Sequence, residues 1–419
     1  MNTNPKIYNN LAEWVIHSNL MQWVKRETRP PLHVQIVPTN LCNIACIFCW
    51  RVLDREEDLK KKKDRISDKR YLEIVEEICG SPKLRPKSIT ITGGGEPFIK
   101  KNLVVKMIEE IKKYNIHCEI VTNGCLMDKN VSKRLVECGL NRIAVSINAA
   151  RPDIDDFIRG KNGSHMEALN CLRELNYWKD RLGSDIPTLG FTKVVTKHNY
   201  DQVCDMVDLA FEYRADTLNI RWVSEPQSKG KPGPLTMPPY KYPEFMEEIK
   251  RAERLAKLKG IALVKDFTED DLRRYLNLAV HEDGKNLFIS QETCENCENL
   301  NKQKDLIAET EKTSTLEFLM KENAYEELCN ANICTFPFYE LFIDASGFAS
   351  GCGTLASSGG DDHSVAEDIT KVNVHDVWYG ERLNHLRVLM LLNKFTKICE
   401  SCNVINVVKM SRTWTKKYK

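Results

Sequence analysis

Short apolar runs alternate with amphipathic stretches through the first half of this 419-residue chain, and no other feature restricts the fold as strongly. Candidate strands fall at 33–37, 88–92, 117–121, 142–147, 189–195 and 217–222. Helical periodicity fills the gaps at 69–79, 101–113, 129–138, 164–179 and 200–213. A helix between two strands returns the chain to the starting edge of the sheet, so such strands run parallel. Six units suit an open three-quarter barrel better than a closed eight-stranded one. The expected class is therefore α/β, an open (β/α)6 partial TIM barrel, with chemistry at the C-terminal ends of its strands.

Four segments are expected along the chain. Residues 1–30 form a helical extension, in which Leu11, Trp14, Val15, Met21 and Val24 stand near helical spacing. Residues 31–225 form the barrel. Residues 226–330 are a linker and helical insertion, opening with Pro226, Gly230, Pro232, Gly233, Pro234, Pro238 and Pro239. Residues 331–419 form a small α+β domain. Two short strands around Ala345-Ser346-Gly347 predict a hairpin there, followed by a helix near 374–393.

Hydrophobic content of 42% and charged content of 29% are those of a soluble globular protein. The net charge of +2 gives no sign of a nucleic-acid or anionic-membrane partner. No apolar run approaches the roughly 20 residues that span a bilayer. Met1-Asn2-Thr3-Asn4-Pro5-Lys6 lacks the apolar core of a secretory signal, so a cytoplasmic location is expected. Sixteen cysteines in such a chain point to metal binding for those that cluster, rather than to disulfides. Cys79, Cys118, Cys125, Cys138, Cys171 and Cys204 stand singly and read as small buried side chains. The charged segment 54–63 reads as a solvated loop.

The most pointed cluster directly follows the first strand, where Cys42, Cys46 and Cys49 stand in the order C-x3-C-x2-C. One loop can wrap three thiolates around a cubane iron–sulfur cluster, leaving the fourth iron without a protein ligand. Zinc also takes thiolates, but it normally wants four in closed, paired spacings. Further on, Thr92 leads into Gly93, Gly94, Gly95, Glu96 and Pro97 after the second strand. Consecutive glycines let backbone approach a ligand closely, and a glutamate can accept from an ammonium. Thr122-Asn123-Gly124 and Ser146-Ile147-Asn148 close the third and fourth strands, and the first of these also reads as a plain turn. Arg221, on the sixth strand, suits a carboxylate ligand or a structural ion pair equally. Toward the end of the chain stand Cys334, Cys352, Cys399 and Cys402, enough to close a second cluster or a structural zinc site. Cys294 and Cys297, with Cys329 further on, are another metal site or incidental.

In these motifs and their order the chain resembles the radical S-adenosylmethionine (SAM) enzymes. The resemblance covers about residues 31–225 and 331–405. It implies a SAM-binding [4Fe–4S] cluster on Cys42, Cys46 and Cys49. It also implies SAM contacts from Phe48, Gly93, Gly94, Gly95, Glu96, Asn123, Ser146, Asn148 and Arg221, with Glu96 at the methionine amino group and Phe48 near the adenine. Cys334, Gly347, Cys352, Cys399 and Cys402 resemble the SPASM or twitch extension, which implies a second, auxiliary [4Fe–4S] cluster. No cysteine follows Cys402, as in the shorter, one-cluster version. Arg159-Gly160 resembles a segment frequent in members with such extensions, with no role assigned.

The implied chemistry is reductive cleavage of SAM, giving a 5′-deoxyadenosyl radical that takes a hydrogen atom from substrate. An electron donor such as flavodoxin or ferredoxin is expected. Only about thirty residues precede the first strand, too few for a winged-helix peptide-recognition domain. The expected substrate is therefore a small hydroxylated or amino-sugar-like molecule, dehydrogenated or epimerised at carbon. The alternative is a ribosomally made peptide or protein side chain, recognised with the help of a separate protein.

Overall fold

The computed structural model describes residues 29–53, 63–223, 234–267, 334, 336–357 and 366–391. The expected N-terminal helix at 8–26 and Cys294, Cys297, Cys329, Cys399 and Cys402 lie outside the described residues. One sheet of ten strands organises the rest, in the order β10-β9-β8-β1-β2-β3-β4-β5-β6-β7. Its parallel part comprises β1 (His33–Ile36), β2 (Ser88–Ile91), β3 (His117–Thr122), β4 (Arg142–Ser146), β5 (Thr188–Val195), β6 (Thr217–Trp222) and β7 (Ala262–Lys265). The first six strands coincide with the sequence expectation to within a residue or two. The sheet resembles the partial barrel expected.

Helices α1 (Asp68–Gly80), α2 (Lys101–Lys112), α3 (Lys129–Glu137), α4 (Pro152–Arg159), α5 (Ser164–Leu182) and α6 (Val203–Glu212) connect these strands. Each packs one apolar stripe on the sheet. In α2 the stripe is Leu103, Val104, Met107, Ile108 and Ile111, all buried, each contributing about 1.5–3 kcal/mol relative to exposure. The starts are set by side-chain caps. Ser67 accepts from the amide of Arg70 at the head of α1, and Asp128 from Asn130 and Val131 at the head of α3.

Strands β1, β2, β3 and β6 alternate, with Val34, Ile36, Ile89, Ile91, Ile120, Leu218 and Ile220 buried toward the helices, and β4 adds Ile143 to that face while burying Ala144 and Val145 as well. The other face lines the barrel lumen and is polar. Arg142 on β4 pairs there with Glu119 of β3 and reaches over β5 to the Thr217 hydroxyl, 2.9 Å away. Gly190 makes room for that crossing, because a Cβ would fall 2.7 Å from the guanidinium. Ser146 and Arg221 stand on the same face, nearer the C-terminal ends of their strands.

Two features go beyond the sequence expectation. Helix α7 (Tyr242–Lys259) and β7 add a seventh parallel unit from within the stretch expected as linker and insertion. At the other edge, the expected hairpin is β8 (Glu340–Ile343) and β9 (Phe348–Ser350), but β8 pairs in parallel with β1 over its whole length. The C-terminal segment thereby continues the barrel sheet, and β10 (Glu367–Asp368) closes its edge. The helix expected near 374–393 is two, α8 (Val374–Tyr379) and α9 (Glu381–Leu391), broken at Gly380.

Candidate active site

The loop carrying Cys42, Cys46 and Cys49 leaves the C-terminal end of β1, and other parts of the protein brace it on three sides. At its start, Asp64 accepts from the Thr39 hydroxyl (2.6 Å) and the Asn40 amide (2.8 Å). On a second side, the amides of Gly95 and Glu96 donate to the carbonyls of Thr39 (3.0 Å) and Leu41 (2.7 Å). Gly95 is needed for this approach, since a Cβ would lie 1.8 Å from the Leu41 oxygen. On the third side, the amides of Ala45 and Ile47 donate to the carbonyls of Arg159 (3.2 Å) and Ile158 (2.9 Å) at the end of α4. The cysteine loop is thus held like a strand between two backbones.

The residues singled out from sequence gather at this end of the sheet. Glu96 is 2% exposed and both its oxygens are occupied. It accepts from the Thr122 hydroxyl (2.6 Å), the Asn123 amide (2.7 Å) and the Phe98 amide (3.0 Å). Burial raises its pKa, opposed by those same bonds. Its carboxylate therefore joins the glycine-rich turn to the turn after β3. Asn123 passes the connection on, donating to Asn43 (2.8 Å), with its amide 3.8 Å from the Cys42 sulfur. Asn148 is also buried and committed. Its carbonyl accepts from Lys193 and Asn199 (both 2.7 Å), and its amide donates to Asp155 (2.7 Å). Phe48, Gly94, Gly95 and Ser146 are half-buried, while Gly93 and Arg221 are exposed. Arg221 lies near Asp266, which burial drives toward its protonated form against the pull of that guanidinium.

Sequence reasoning left Asp155, Arg159 and His165 without roles, yet all three are buried beside the loop. Asp155 accepts from His165 Nδ1 (3.0 Å) and lies 3.5 Å from the Arg159 guanidinium. Glu340 was also passed over. It is buried on the lumen face of β8, takes a hydrogen bond from Gln35 (3.1 Å), and is raised by burial to about 7. The signal available for it was a lone acid opening an apolar strand.

Burial pushes the Cys46 thiol up to about 12, with Cys49 adding to the effect and Arg159 opposing it. Such a thiol ionises at neutral pH only when a metal takes the sulfur. No three metal-binding side chains converge on a single ion among the described residues. A cubane does not require this, because each thiolate takes its own iron. Near the loop, three buried donors lack acceptors among the described residues: Asn43 Nδ2, Arg51 Nη1 and Arg159 Nε. Three soft sulfurs on one loop, with N–H groups unsatisfied nearby, fit an anionic group that presents sulfide acceptors.

Cys334 and Cys352 lie at the opposite end of the sheet. Cys334 precedes β8, and Cys352 follows β9, which runs back antiparallel to it. The two are close enough that both raise the Tyr339 hydroxyl, which burial already pushes far upward.

Residues 36–210 match the family model described as the radical SAM superfamily. This part of the chain is a radical SAM domain. Such a domain uses a [4Fe–4S] cluster and SAM. Among curated relatives, a probable GTP 3′,8-cyclase of Methanothermobacter marburgensis is 31% identical over 146 residues, 34% of this chain and 43% of that protein. The mycofactocin maturase MftC of Mycobacterium ulcerans is 25% identical over 182 residues, 43% of this chain and 44% of the relative. The matches thus span less than half the length of these relatives. Among solved structures, Streptococcus suis SuiB bound to precursor peptide SuiA shares the fold at 15% identity and TM-score 0.57, over 97% of this chain and 76% of that one. The radical SAM domain and the strands that follow it therefore form a fold seen in solved structures. No helix among the described residues is long and apolar enough to cross a membrane.

Proposed function

We propose that this radical SAM enzyme modifies a side chain of a peptide or protein, by an oxidation begun with hydrogen-atom abstraction. The observation that carries this reading is the company the chain keeps. A maturase stands among its curated relatives, and SuiB, solved with a precursor peptide, shares its fold across 97% of the chain. Although one relative is named a GTP cyclase, none of the relatives described above supports the amino-sugar-like substrate expected first from sequence, and the peptide alternative takes the lead.

In this reading Cys42, Cys46 and Cys49 hold the SAM-binding cluster, and Gly93–Gly95, Phe48, Ser146 and Arg221 receive SAM. Glu96, Asn123 and Asn148, with their polar atoms already committed to protein partners, hold the surrounding loops in register. The bound cofactors supply reductive cleavage of SAM to methionine and a 5′-deoxyadenosyl radical. Cys334 and Cys352, with Cys399 and Cys402, would hold an auxiliary cluster, which would supply an acceptor for the second electron. The lumen carries Glu340, a carboxyl raised into the range where it can accept a proton from an oxidised substrate. We assign the donor role to a flavodoxin or ferredoxin, and the location to the cytoplasm, where sixteen cysteines stay reduced.

The test is anaerobic turnover of the reconstituted full chain with SAM and dithionite, reading 5′-deoxyadenosine. A peptide encoded beside this chain should stimulate its formation at least tenfold and lose mass as hydrogen. Stimulation by aminocyclitols or sugars, with none by any such peptide, would overturn the substrate assignment.

A further inference from the structure

We infer that Arg159 is a buried counter-charge built against the cysteine loop, and that it raises the reduction potential of the cluster held there. This rests on the reading that the triad holds a cluster. The side chain is 0% exposed, a costly place for a guanidinium unless its charge is used. Its Nη atoms donate to the carbonyls of Asn123 and Ser164 (3.1 Å for Ser164) and lie 3.1 Å from the Cys125 sulfur. The Nε has no acceptor among the described residues.

The nearest counter-charge does not cancel it. Asp155 stands 3.5 Å away, longer than a good charged hydrogen bond. Its oxygens are shared with the amides of Asn148 (2.7 Å) and Ala149 (3.3 Å) and with His165 (3.0 Å). Of the other acids nearby, Glu96 is fixed by three donors of its own and is disfavoured as an anion by burial, and Glu167 is paired with Lys161. The guanidinium lies one residue away from the cysteine loop: it donates to the carbonyl of Asn123, whose side-chain amide stands 3.8 Å from the Cys42 sulfur.

The same residue also fixes the position of the loop, since its main-chain oxygen receives the Ala45 amide. A buried cation is thus locked in register with the sulfurs. Three thiolates on a cubane core of two positive charges leave one net negative charge, and one-electron reduction makes it two. In a water-poor site a fixed cation stabilises the doubly charged state more, which raises the potential.

The experiment uses the full chain, reconstituted anaerobically, with Arg159→Lys, Arg159→Gln and Asp155→Asn. Iron content is measured first. The EPR signal that changes on adding SAM is then titrated against potential. Arg159→Gln should hold its iron but fall at least tenfold in the ratio of reduced to oxidised cluster at a fixed potential, equivalent to about 59 mV for one electron. Arg159→Lys should stay near the parent chain. Asp155→Asn, which removes the opposing charge, should move the midpoint the other way, and this holds the test open should Arg159→Gln fail to load. An unchanged midpoint in a loaded Arg159→Gln or in Asp155→Asn overturns the inference, as does a shift in Arg159→Lys as large as that in Arg159→Gln. A parent chain without a SAM-sensitive signal would refute the functional reading itself.

Discussion

Gly160 faces the main-chain oxygen of Ala45 so closely that a Cβ on it would lie 2.3 Å from that oxygen. It also adopts φ +65°, the left-handed region that L side chains resist. Substituting Gly160→Ala should destabilise the protein by about 1–3 kcal/mol and displace the loop. The reading is a thermal melt together with iron content after reconstitution. Both should fall, with iron falling further than the melt alone explains.

Glu96→Gln keeps the size of the side chain and one acceptor oxygen, which can still serve Thr122 and Phe98, but sets an amide NH2 against the Asn123 amide that the other carboxylate oxygen now accepts. Leaving buried donors unsatisfied costs roughly 1–3 kcal/mol each, so a loss of at least that size is expected in denaturant unfolding. If the Glu96 carboxylate instead served SAM alone, stability would be unchanged and only SAM affinity would drop.

Glu340→Gln gives a pH-dependent result with a definite sign. Burial raises the folded pKa to about 7, so the folded chain binds the proton more tightly than the unfolded one. The stability this supplies is complete below the ordinary glutamate range and is lost as pH rises toward 7. Glutamine cannot titrate, yet it can keep the bond from Gln35. The variant should therefore gain on the parent between about pH 4.5 and 7, by about 1.4 kcal/mol per unit and about 3 kcal/mol at most. Unfolding in urea across that range checks it. A difference independent of pH would show that Glu340 is ionised normally in the fold.

Arg221→Ala removes an exposed guanidinium from the lumen end of β6 without opening the core. Loss of a charged hydrogen bond to the SAM carboxylate should weaken SAM binding about tenfold or more, with iron content unchanged. Equilibrium dialysis with labelled SAM reads this directly. Unaltered binding would leave Arg221 as a neighbour of Asp266 and nothing more.

Much of this architecture was legible because burial leaves a period in the sequence. The first six strands read as four- to eight-residue apolar runs, and the helices between them show clean stripes. β7 was missed because Ala262–Lys265 is short and mostly exposed, so nothing forces an apolar pattern on it. Helix α7 did carry its signal, with Tyr242, Phe245, Ile249, Ala252 and Ala256 buried at helical spacing, but the preceding prolines drew attention to a linker. The hairpin was read correctly. Its pairing with β1 was not, because a contact between positions 33 and 340 leaves no local trace. At the site, residue types announced themselves more clearly than roles did. Glu96 and Asn148 stand where expected, but Glu96 is spent on two backbone amides and a hydroxyl, and Asn148 is held by Lys193, Asn199, Asp155 and the Val194 amide, which no spacing could reveal. Arg159 was visible as a motif; only its complete burial shows what the charge is near.

The most direct test of the central claim is iron and sulfide content after anaerobic reconstitution, for the parent chain and for Cys42→Ala, Cys46→Ala and Cys49→Ala combined. Two four-iron clusters predict about eight irons in the parent and about four in the triple variant. A triple variant that carries as much iron as the parent would mean that the loop after β1 holds no cluster, and the account of this site would be wrong.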